Sequence, residues 1–284
     1  MPAFTCHIGP DGVVTGQGAG AIMPWWSVTK TVIAALALRL EAAGQLDLDD
    51  GDPSLEALLR HEGGLPDYGG LAHYHEAVAR GDEPWSRDRF LAEVGGPIFA
   101  PGASWAYSNI GYGLAVERIE AATGLTLADL IEAEICAPLG LAARLADTPE
   151  DMAEVAVPTG GYHPGWVFHR CLIGPVQDAA RLVHALATGR LVRPDALARM
   201  TDARVLGPGI AGRPWTSHGY GIGLMMGEIE GRACFGHSAG GPFSGGAVYH
   251  APETKETAAA FCDGPGEIRS EWLVAGMLGA VPAP

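Results

Sequence analysis

PWWSVTKTV, residues 24–32, places a serine three residues before a lysine at the point where a helical pattern begins. Apolar residues recur at helical spacing from Ser27 to about Ala42, and Gly44 is the expected end of the helix. Positions three apart share one face of a helix, so Lys30 can bring its amine to the Ser27 hydroxyl. Two interpretations follow: a nucleophile with its base, or a helix cap beside a solvated lysine.

A second group of polar residues lies in PGASWAYSNIGYG, residues 101–113. Tyr107 and Asn109 follow a Pro-Gly turn and precede a helix that is expected to begin near Ile110. A phenol can move a proton between a nucleophile and a leaving group, and an amide can hold both a lysine and a substrate carbonyl. The alternative is that Asn109 caps the helix and Tyr107 packs in the core.

A third group is FGHSAGGPFSGG, residues 235–246, in which His237 leads a strand of small residues that a ligand can approach closely. The same segment matches G-x-S-x-G, the nucleophile elbow of α/β-hydrolases, which would make Ser238 a nucleophile. That motif requires a strand-turn-helix context and an acid and a histidine later in the chain. His250 is the only later histidine, and no acidic residue lies between it and Ser238, so this alternative is disfavoured.

The order of apolar patterns predicts an α/β (α+β) fold. Segments 4–8 and 13–17 flank an Asp-Gly step and predict a hairpin at a sheet edge. Residues 54–191 are mostly helical in pattern, strands are expected at 220–226, 233–236, 247–250 and 257–262, and a last helix at 268–278. The sequence therefore predicts an antiparallel sheet flanked by helices, with residues 1–45 plus 201–284 in one domain and the mostly helical region 46–200 in another.

The composition limits the kinds of partner and the compartment. The chain of 284 residues has a formal net charge of −15, which disfavours nucleic acids and anionic membranes. Its apolar runs are shorter than the roughly 20 residues needed to cross a bilayer. The five scattered cysteines contain no C-x-x-C spacing, and residues 1–23 lack the basic start of a secretory signal. These features predict a cytoplasmic protein with reduced thiols.

Taken together, the three motifs resemble those of the serine hydrolase family that contains class C β-lactamases, D-Ala-D-Ala carboxypeptidases and related esterases and aminopeptidases. The family motifs S-x-x-K, Y-x-N and a K-T-G-like strand stand here as SVTK, YSN and HSA, in the family order. The phrases LLRHEGGLPDY at 58–68, PGASWAYSNIGYGLAVERIEAATG at 101–124 and APLGL at 137–141 agree as well. The resemblance covers about residues 20–265.

The resemblance implies a role for each motif residue. Ser27 would be the nucleophile that forms an acyl-enzyme, with Lys30 and Tyr107 sharing the proton transfers. Asn109 would orient the substrate, and the backbone N–H groups of Ser27 and Gly240 would form the oxyanion hole. The family needs no metal or organic cofactor, and no zinc-ligand spacing such as H-E-x-x-H occurs in the sequence.

Departures from the family pattern affect the expected substrate. His237 replaces the lysine that helps to hold a substrate carboxylate, and Ala239 replaces a glycine. We therefore expect a small ester, amide or β-lactam substrate, with carboxylesterase activity favoured and β-lactamase or D-amino-acid peptidase activity as the alternative. A non-catalytic ligand-binding module is the rival hypothesis. The segment before Ser27 is short for the family, which leaves open a homo-oligomer that covers the sheet edge.

Several further aromatic and basic residues have alternative interpretations. The aromatic residues that flank the motifs either line an acyl pocket or pack in the core; they are Trp25, Trp26, Trp105 and Tyr112. His61 is expected to be structural. His169, with Arg170, lies in a segment that the family often brings near the cleft, so a substrate-binding role is open.

Overall fold

An antiparallel sheet of eight strands takes strands from both ends of the chain. A computed structural model describes residues 1–279. Its strands are β1 Ala3–Ile8, β2 Val14–Thr15, β3 Ile22–Pro24, β4 Arg144–Ala146, β5 Cys171–Pro175, β6 Arg204–Pro208, β7 Trp215–Tyr220, β8 Met225–Ile229, β9 Arg232–Gly240, β10 Ser244–Ala251 and β11 Glu256–Asp263. The order in the large sheet is β2-β1-β11-β10-β9-β8-β7-β6. The predicted antiparallel sheet built from both chain ends is confirmed.

The helices cover both faces of this sheet. They are α1 Val28–Ala42, α2 Leu55–Leu59, α3 Ala72–Arg80, α4 Arg87–Val94, α5 Asn109–Thr123, α6 Leu127–Ile131, α7 Ala137–Leu139, α8 Pro149–Met152, α9 Val176–Ala187, α10 Pro194–Thr201 and α11 Ile268–Met277, with a π-helical turn at Glu132–Cys136. Side chains of β11 alternate between two apolar clusters: Ala259 and Phe261 join the main core, whereas Ala258 and Ala260 pack with α11. The helix α9 contacts β1, β10 and β11, and α1 contacts β9.

The helix α1 is buried on all sides, from Val28 to Leu38 and again at Leu40. A helix that is apolar around its whole circumference belongs in the interior, and the alanines Ala34, Ala35 and Ala37 let its neighbours approach closely. This position carries the start of α1 to the centre of the molecule, where it meets β9 from the large sheet.

A second sheet of three antiparallel strands, in the order β3-β5-β4, fixes the entry to α1. The Trp25 N–H donates to the Leu172 carbonyl at 2.7 Å, which extends the pairing of β3 with β5 by one residue. The Leu172 N–H in turn donates to Thr29 Oγ1 at 3.1 Å, inside the first turn of α1. The helical pattern of the middle region did not predict β4 and β5, which are short, and of which only β5 is largely buried.

The prediction of one continuous strand at 220–226 is wrong. The strand β7 ends at Tyr220 and β8 begins at Met225, and the residues between them form a turn. Gly221 allows this turn because a Cβ there would lie 1.9 Å from the Met200 carbonyl oxygen. The hairpin at the N-terminus and the last helix, α11, are confirmed. The division into two domains at 45 and 200 stays a prediction.

Two features of composition have structural counterparts. All five cysteines are buried and unpaired within the described part of the chain. Over residues 1–279, no helix combines the length and the apolar character needed to cross a membrane.

Gly223 gives a test of how tightly the turn between β7 and β8 packs on α1. Its φ is +66°, and an added Cβ would lie 2.3 Å from the Ala34 Cβ. We expect Gly223→Ala to lower the free energy of unfolding by about 3 kcal/mol, because backbone strain and overpacking add. Gly212→Ala is the matched control, since its φ is +78° and nothing lies within 4 Å of the added Cβ.

The control variant should lose only about 1 kcal/mol from the left-handed backbone. Denaturant unfolding of the two variants beside the wild type measures both changes. Equal losses in the two variants would show that the contact with α1 contributes nothing.

Candidate active site

Ser27 lies at the start of α1, and its hydroxyl does not cap the helix. Its backbone is helical, at φ −71° and ψ −13°, and its side chain makes no capping hydrogen bond. The Ser27 Oγ lies 2.7 Å from the Tyr107 Oη and 3.2 Å from the Lys30 Nζ. The helix-cap interpretation of Ser27 is therefore wrong, and the residues of the first two motifs meet in one site.

Lys30 is fully buried, and three acceptors surround its amine. Nζ lies 2.7 Å from Asn109 Oδ1, 3.2 Å from Ser27 Oγ and 3.1 Å from His169 Nε2. An ammonium group has three protons to donate, so this arrangement satisfies each of them. Lys30 is not the solvated first-turn residue of the alternative interpretation, since its exposed fraction is 0%.

Burial lowers the pKa of Lys30 from 10.5 to about 7, because the interior disfavours the ammonium form, and the negative charge of Asp67 opposes part of this fall. Burial also raises the pKa of Asp67. The Asp67 carboxylate accepts from the Asn109 backbone N–H at 2.8 Å and from Asn109 Nδ2 at 3.2 Å. Asn109 therefore bridges the lysine and the carboxylate, with its carbonyl oxygen turned to Lys30.

Tyr107 keeps its proton near neutral pH. Burial raises the pKa of its phenol well above the usual value, although the hydrogen bond to Ser27 opposes the rise. The Lys30 Nζ also lies 4.8 Å from the centre of the Tyr107 ring, where the face of an aromatic ring attracts a cation. Of Ser27, Lys30 and Tyr107, the lysine is thus the group that changes protonation near pH 7.

The loop that carries Tyr107 is held by a buried histidine. The Ser108 N–H donates to His61 Nδ1 at 3.0 Å, and the His61 ring centre lies 4.4 Å from that of Tyr107. Ser108, rather than Asn109, caps α5, because its Oγ accepts from the Gly111 N–H at 3.0 Å. His61 therefore positions Tyr107 through packing and a backbone contact, in line with the structural role expected for it.

The third motif lies on β9, beyond the end of its pairing with β8. Gly236 is the last residue of β9 that pairs with β8, so residues 237–240 have a strand partner only on the β10 side within the described chain. His237 Nδ1 donates to the Ser238 carbonyl at 2.6 Å, and His237 Nε2 accepts from Tyr220 Oη at 3.0 Å. Burial lowers the pKa of His237 to about 3, which leaves the ring neutral.

Ser238 belongs to a different network from Ser27. Its Oγ contacts the carboxylate of Glu271 and the hydroxyl of Tyr249, and it accepts from Arg213 Nη2 at 3.1 Å. The partners of its hydroxyl in the described chain include no histidine. The G-x-S-x-G alternative requires a histidine as the base, whereas the Ser238 hydroxyl contacts the buried ion pair of Arg213 and Glu271.

Trp26 connects the turn that carries Ser27 to the hairpin of β9 and β10. Its φ of +43° is rare for a bulky residue, and its Nε1 donates to Ser244 Oγ at 2.9 Å. A Cβ on Gly241 would lie 2.2 Å from the Trp26 ring, so only glycine fits at that position. Trp25 is a core residue whose Nε1 donates to the Gly174 carbonyl at 3.3 Å.

Two cavities open on either side of Ser27. One, of about 450 Å³, has an aromatic wall, and its lining includes Trp26, Tyr68, Tyr74, Tyr162 and His169. The other, of about 400 Å³, lies towards the third motif, and its lining includes Trp105, Tyr107, Arg213, Tyr220 and His237. Gly240 and Glu267 line both cavities. The structure thus brings Gly240 to the cleft that holds Ser27, Tyr107 and Asn109.

Several cleft residues were not predicted from the sequence. Asp67 lies in the phrase LLRHEGGLPDY, which was noted only for its resemblance, and its position after a proline in a loop was the available signal. Arg213 and Glu267 lie in segments without a motif. In residues 1–279, no group of three or more histidine, cysteine, aspartate or glutamate side chains could hold a metal ion.

Comparison with protein families gives a match to the Beta-lactamase model over residues 15–273. Penicillin-binding protein 4* of Bacillus subtilis is 33% identical over 130 residues, which are 40% of this chain and 28% of that protein. A D-aminopeptidase of Brucella anthropi is 25% identical over 240 residues, which are 76% of this chain and 44% of that protein. The chain thus spans less than half the length of these relatives.

Solved structures share the fold at low sequence identity. A D-stereospecific amidohydrolase from Streptomyces sp. has a TM-score of 0.83 at 22% identity, with 98% of this chain and 94% of that one covered. The D-amino acid amidase of Ochrobactrum anthropi SV3 has a TM-score of 0.78 at 19% identity, with 98% and 90% covered. The octameric penicillin-binding protein homologue of Pyrococcus abyssi has 0.78 at 20% identity, with 99% and 74% covered. On the family match over most of its length, the chain belongs to the Beta-lactamase family of serine hydrolases.

Proposed function

We propose that the protein hydrolyses small amides or esters through a covalent acyl-enzyme at Ser27. The observation that carries this proposal is the position of the Ser27 Oγ within hydrogen-bonding distance of both Lys30 Nζ and Tyr107 Oη. A lysine whose pKa is about 7 is available as a neutral amine at physiological pH.

The neighbours of Lys30 favour proton transfer from Ser27. A neutral amine donates two hydrogens, and Asn109 Oδ1 and His169 Nε2 are the acceptors for them. The lone pair of the nitrogen is then left facing Ser27 Oγ. His169 would act here as a positioning residue, a more specific role than the substrate binding considered from the sequence.

The proposed reaction has two halves. Lys30 takes the Ser27 proton as Oγ attacks the substrate carbonyl, and the N–H groups of Ser27 and Gly240 bind the oxygen that becomes negative. The carbon–nitrogen or carbon–oxygen bond breaks, and Tyr107 gives its proton to the leaving group while it receives one from Lys30. A water molecule then attacks the acyl-enzyme by the reverse sequence and releases the acid.

The charge of the third motif bears on the choice of substrate. His237 is neutral, so it offers no positive charge to a substrate carboxylate. This disfavours β-lactams and peptides that are held by a carboxylate, and it leaves the carboxylesterase activity expected from the sequence. The names of the Brucella and Ochrobactrum relatives favour an amide substrate with a D-amino acid. We place amides and esters without a carboxylate together as the proposed substrate class.

The rival hypothesis of a non-catalytic binding module has less support. Burial of the Lys30 amine costs free energy. Binding alone does not require a buried lysine beside a serine hydroxyl that makes no helix-capping hydrogen bond. A homo-oligomer, a cytoplasmic location and the absence of nucleic acid and membrane partners stay predictions. The Pyrococcus homologue is described as octameric, which favours testing the oligomeric state.

Labelling with a fluorophosphonate tests the nucleophile. We expect one adduct per chain at Ser27, and Ser27→Ala should abolish labelling and lower ester turnover by at least about 1,000-fold, since the covalent route is lost. Mass spectrometry of the digested protein identifies the modified serine. Ser86→Ala is the control, because Ser86 caps α4 away from the cleft.

The control variant should label and turn over substrate like the wild type. An adduct at Ser238, or a wild-type protein that is not labelled, would contradict the proposed mechanism. Circular dichroism shows whether each variant keeps the fold.

The protonation of Lys30 can be followed directly because the chain has two lysines, Lys30 and Lys255. With ¹³C-labelled lysine, we expect NMR to show one side chain titrating near pH 7, and the rate of Ser27 labelling should rise with pH through the same range. Asp67→Asn should move both midpoints to lower pH, because it removes a charge that favours the ammonium form.

Asp49→Asn removes an equal charge from an exposed position and should leave both midpoints unchanged. Lys255, in an exposed turn, is the internal reference for the NMR signals. A Lys30 midpoint that stays above pH 9 would rule out the neutral amine as the base.

A further inference from the structure

The charges beside Ser27 point to a subsite for a cation. We propose that Glu267 binds the ammonium group of the substrate, so that the enzyme prefers amides or esters of amino acids with a free amino group. This inference rests on the proposed function, since it places the ammonium group next to the carbonyl that Ser27 attacks.

Glu267 is the residue before α11, and its carboxylate is directed into the cleft. Its side chain makes no capping hydrogen bond to the helix. One oxygen, Oε1, lies 3.0 Å from Arg213 Nη1. The other oxygen, Oε2, would lie 2.8 Å from a Cβ on Gly240. The carboxylate therefore lies beside Gly240, and Glu267 lines both cavities that flank Ser27.

The neighbouring charges leave this part of the cleft negative. Arg213 is the cation in contact with Glu267, but it also pairs with Glu271, which is fully buried. One guanidinium thus faces two carboxylates, and a charge of about −1 remains. His237 adds no positive charge, because burial keeps its ring neutral. A group that is positively charged complements this surface, whereas a carboxylate is repelled by it.

The position of Glu267 indicates which carbon of the substrate carries the ammonium group. In the proposed mechanism the Gly240 N–H binds the carbonyl oxygen, so the carbon next to the carbonyl lies near the Glu267 carboxylate. An amino group on that carbon can reach Oε2. The aromatic cavity that includes Trp26, Tyr74 and Tyr162 then receives an apolar side chain of the same residue. The substrate is thus the amide or ester of an apolar amino acid, or the first residue of a peptide.

A purely structural role for Glu267 makes a different prediction. If the carboxylate served only to hold Arg213, its loss would disturb β9 and affect every substrate equally. If it binds the ammonium group, its loss affects only substrates that carry one. The two roles are therefore separated by a pair of substrates that differ only in the amino group.

The experiment compares the methyl esters and amides of phenylalanine, as both D and L enantiomers, with those of 3-phenylpropanoic acid, which lacks the amino group. In Glu267→Gln we expect kcat/KM for the preferred phenylalanine substrate to fall about 10- to 100-fold, mainly through KM, because a charge-assisted hydrogen bond is lost. The 3-phenylpropanoyl substrates should change by less than about twofold. Glu228→Gln removes the same charge from an exposed position on β8 and should leave both substrates unaffected.

A binding measurement does not depend on turnover. In Ser27→Ala, calorimetry should show that phenylalaninamide binds, and the added change Glu267→Gln should raise its Kd at least about tenfold while 3-phenylpropanamide is unaffected. Equal losses for both compounds, or no loss for the amine, would overturn the role of Glu267. Failure of the proposed function is recognised separately, as a wild-type protein that forms no acyl-enzyme at Ser27.

Discussion

The buried amine of Lys30 is the constraint on which the arrangement of the site depends. An amine in the interior must have a partner for each hydrogen, and Lys30 finds them on α1, at the start of α5 and just before β5. Asp67, behind Asn109, supplies the negative charge that keeps the ammonium form accessible. Three segments that are far apart in the chain therefore have to meet at one nitrogen. The fold buries α1 on every side, so that all three segments can contact its first turn.

The sequence predicted the parts of the site that depend on local spacing. Ser27 and Lys30 share a helix face because the period of a helix is fixed, and the three motifs identified the family. The contacts of Asp67 and His169 with the second motif and the lysine could not be predicted, because they are set by tertiary packing of loops. The error at 220–226 has a similar origin. Apolar residues there continue the strand pattern, yet two glycines let the chain turn against α1 and α10, which local preference does not encode.

The third motif has an uncharged pair of side chains on one side of β9 and a charged network on the other. On one side of β9, His237 and Tyr220 form a hydrogen-bonded pair that carries no charge. On the other side, Ser238 and the pair of Arg213 with Glu271 tie β9 to α11. A buried ion pair adds little net stability, but it fixes geometry because each charge must keep its partner. Arg213 also pairs with Glu267, which lines the cleft. The same arginine therefore helps to hold β9 in place and contributes to the electrostatic field in the cleft.

The contact of Trp26 with Gly241 links two parts of the site that are otherwise separate. Trp26 precedes Ser27, and Gly241 follows Gly240, so the contact of the indole ring with Gly241 joins the neighbours of the two residues whose backbone N–H groups are proposed for the oxyanion hole. The ring is rigid, so its packing couples the position of the turn that carries Ser27 to the position of the hairpin that carries Gly240. We therefore expect motion of the hairpin to displace the turn that carries Ser27. On heating, the site should lose its geometry in one cooperative step, at the temperature where the contact of Trp26 with Gly241 is lost. The turn that carries Ser27 and the hairpin should not separate gradually.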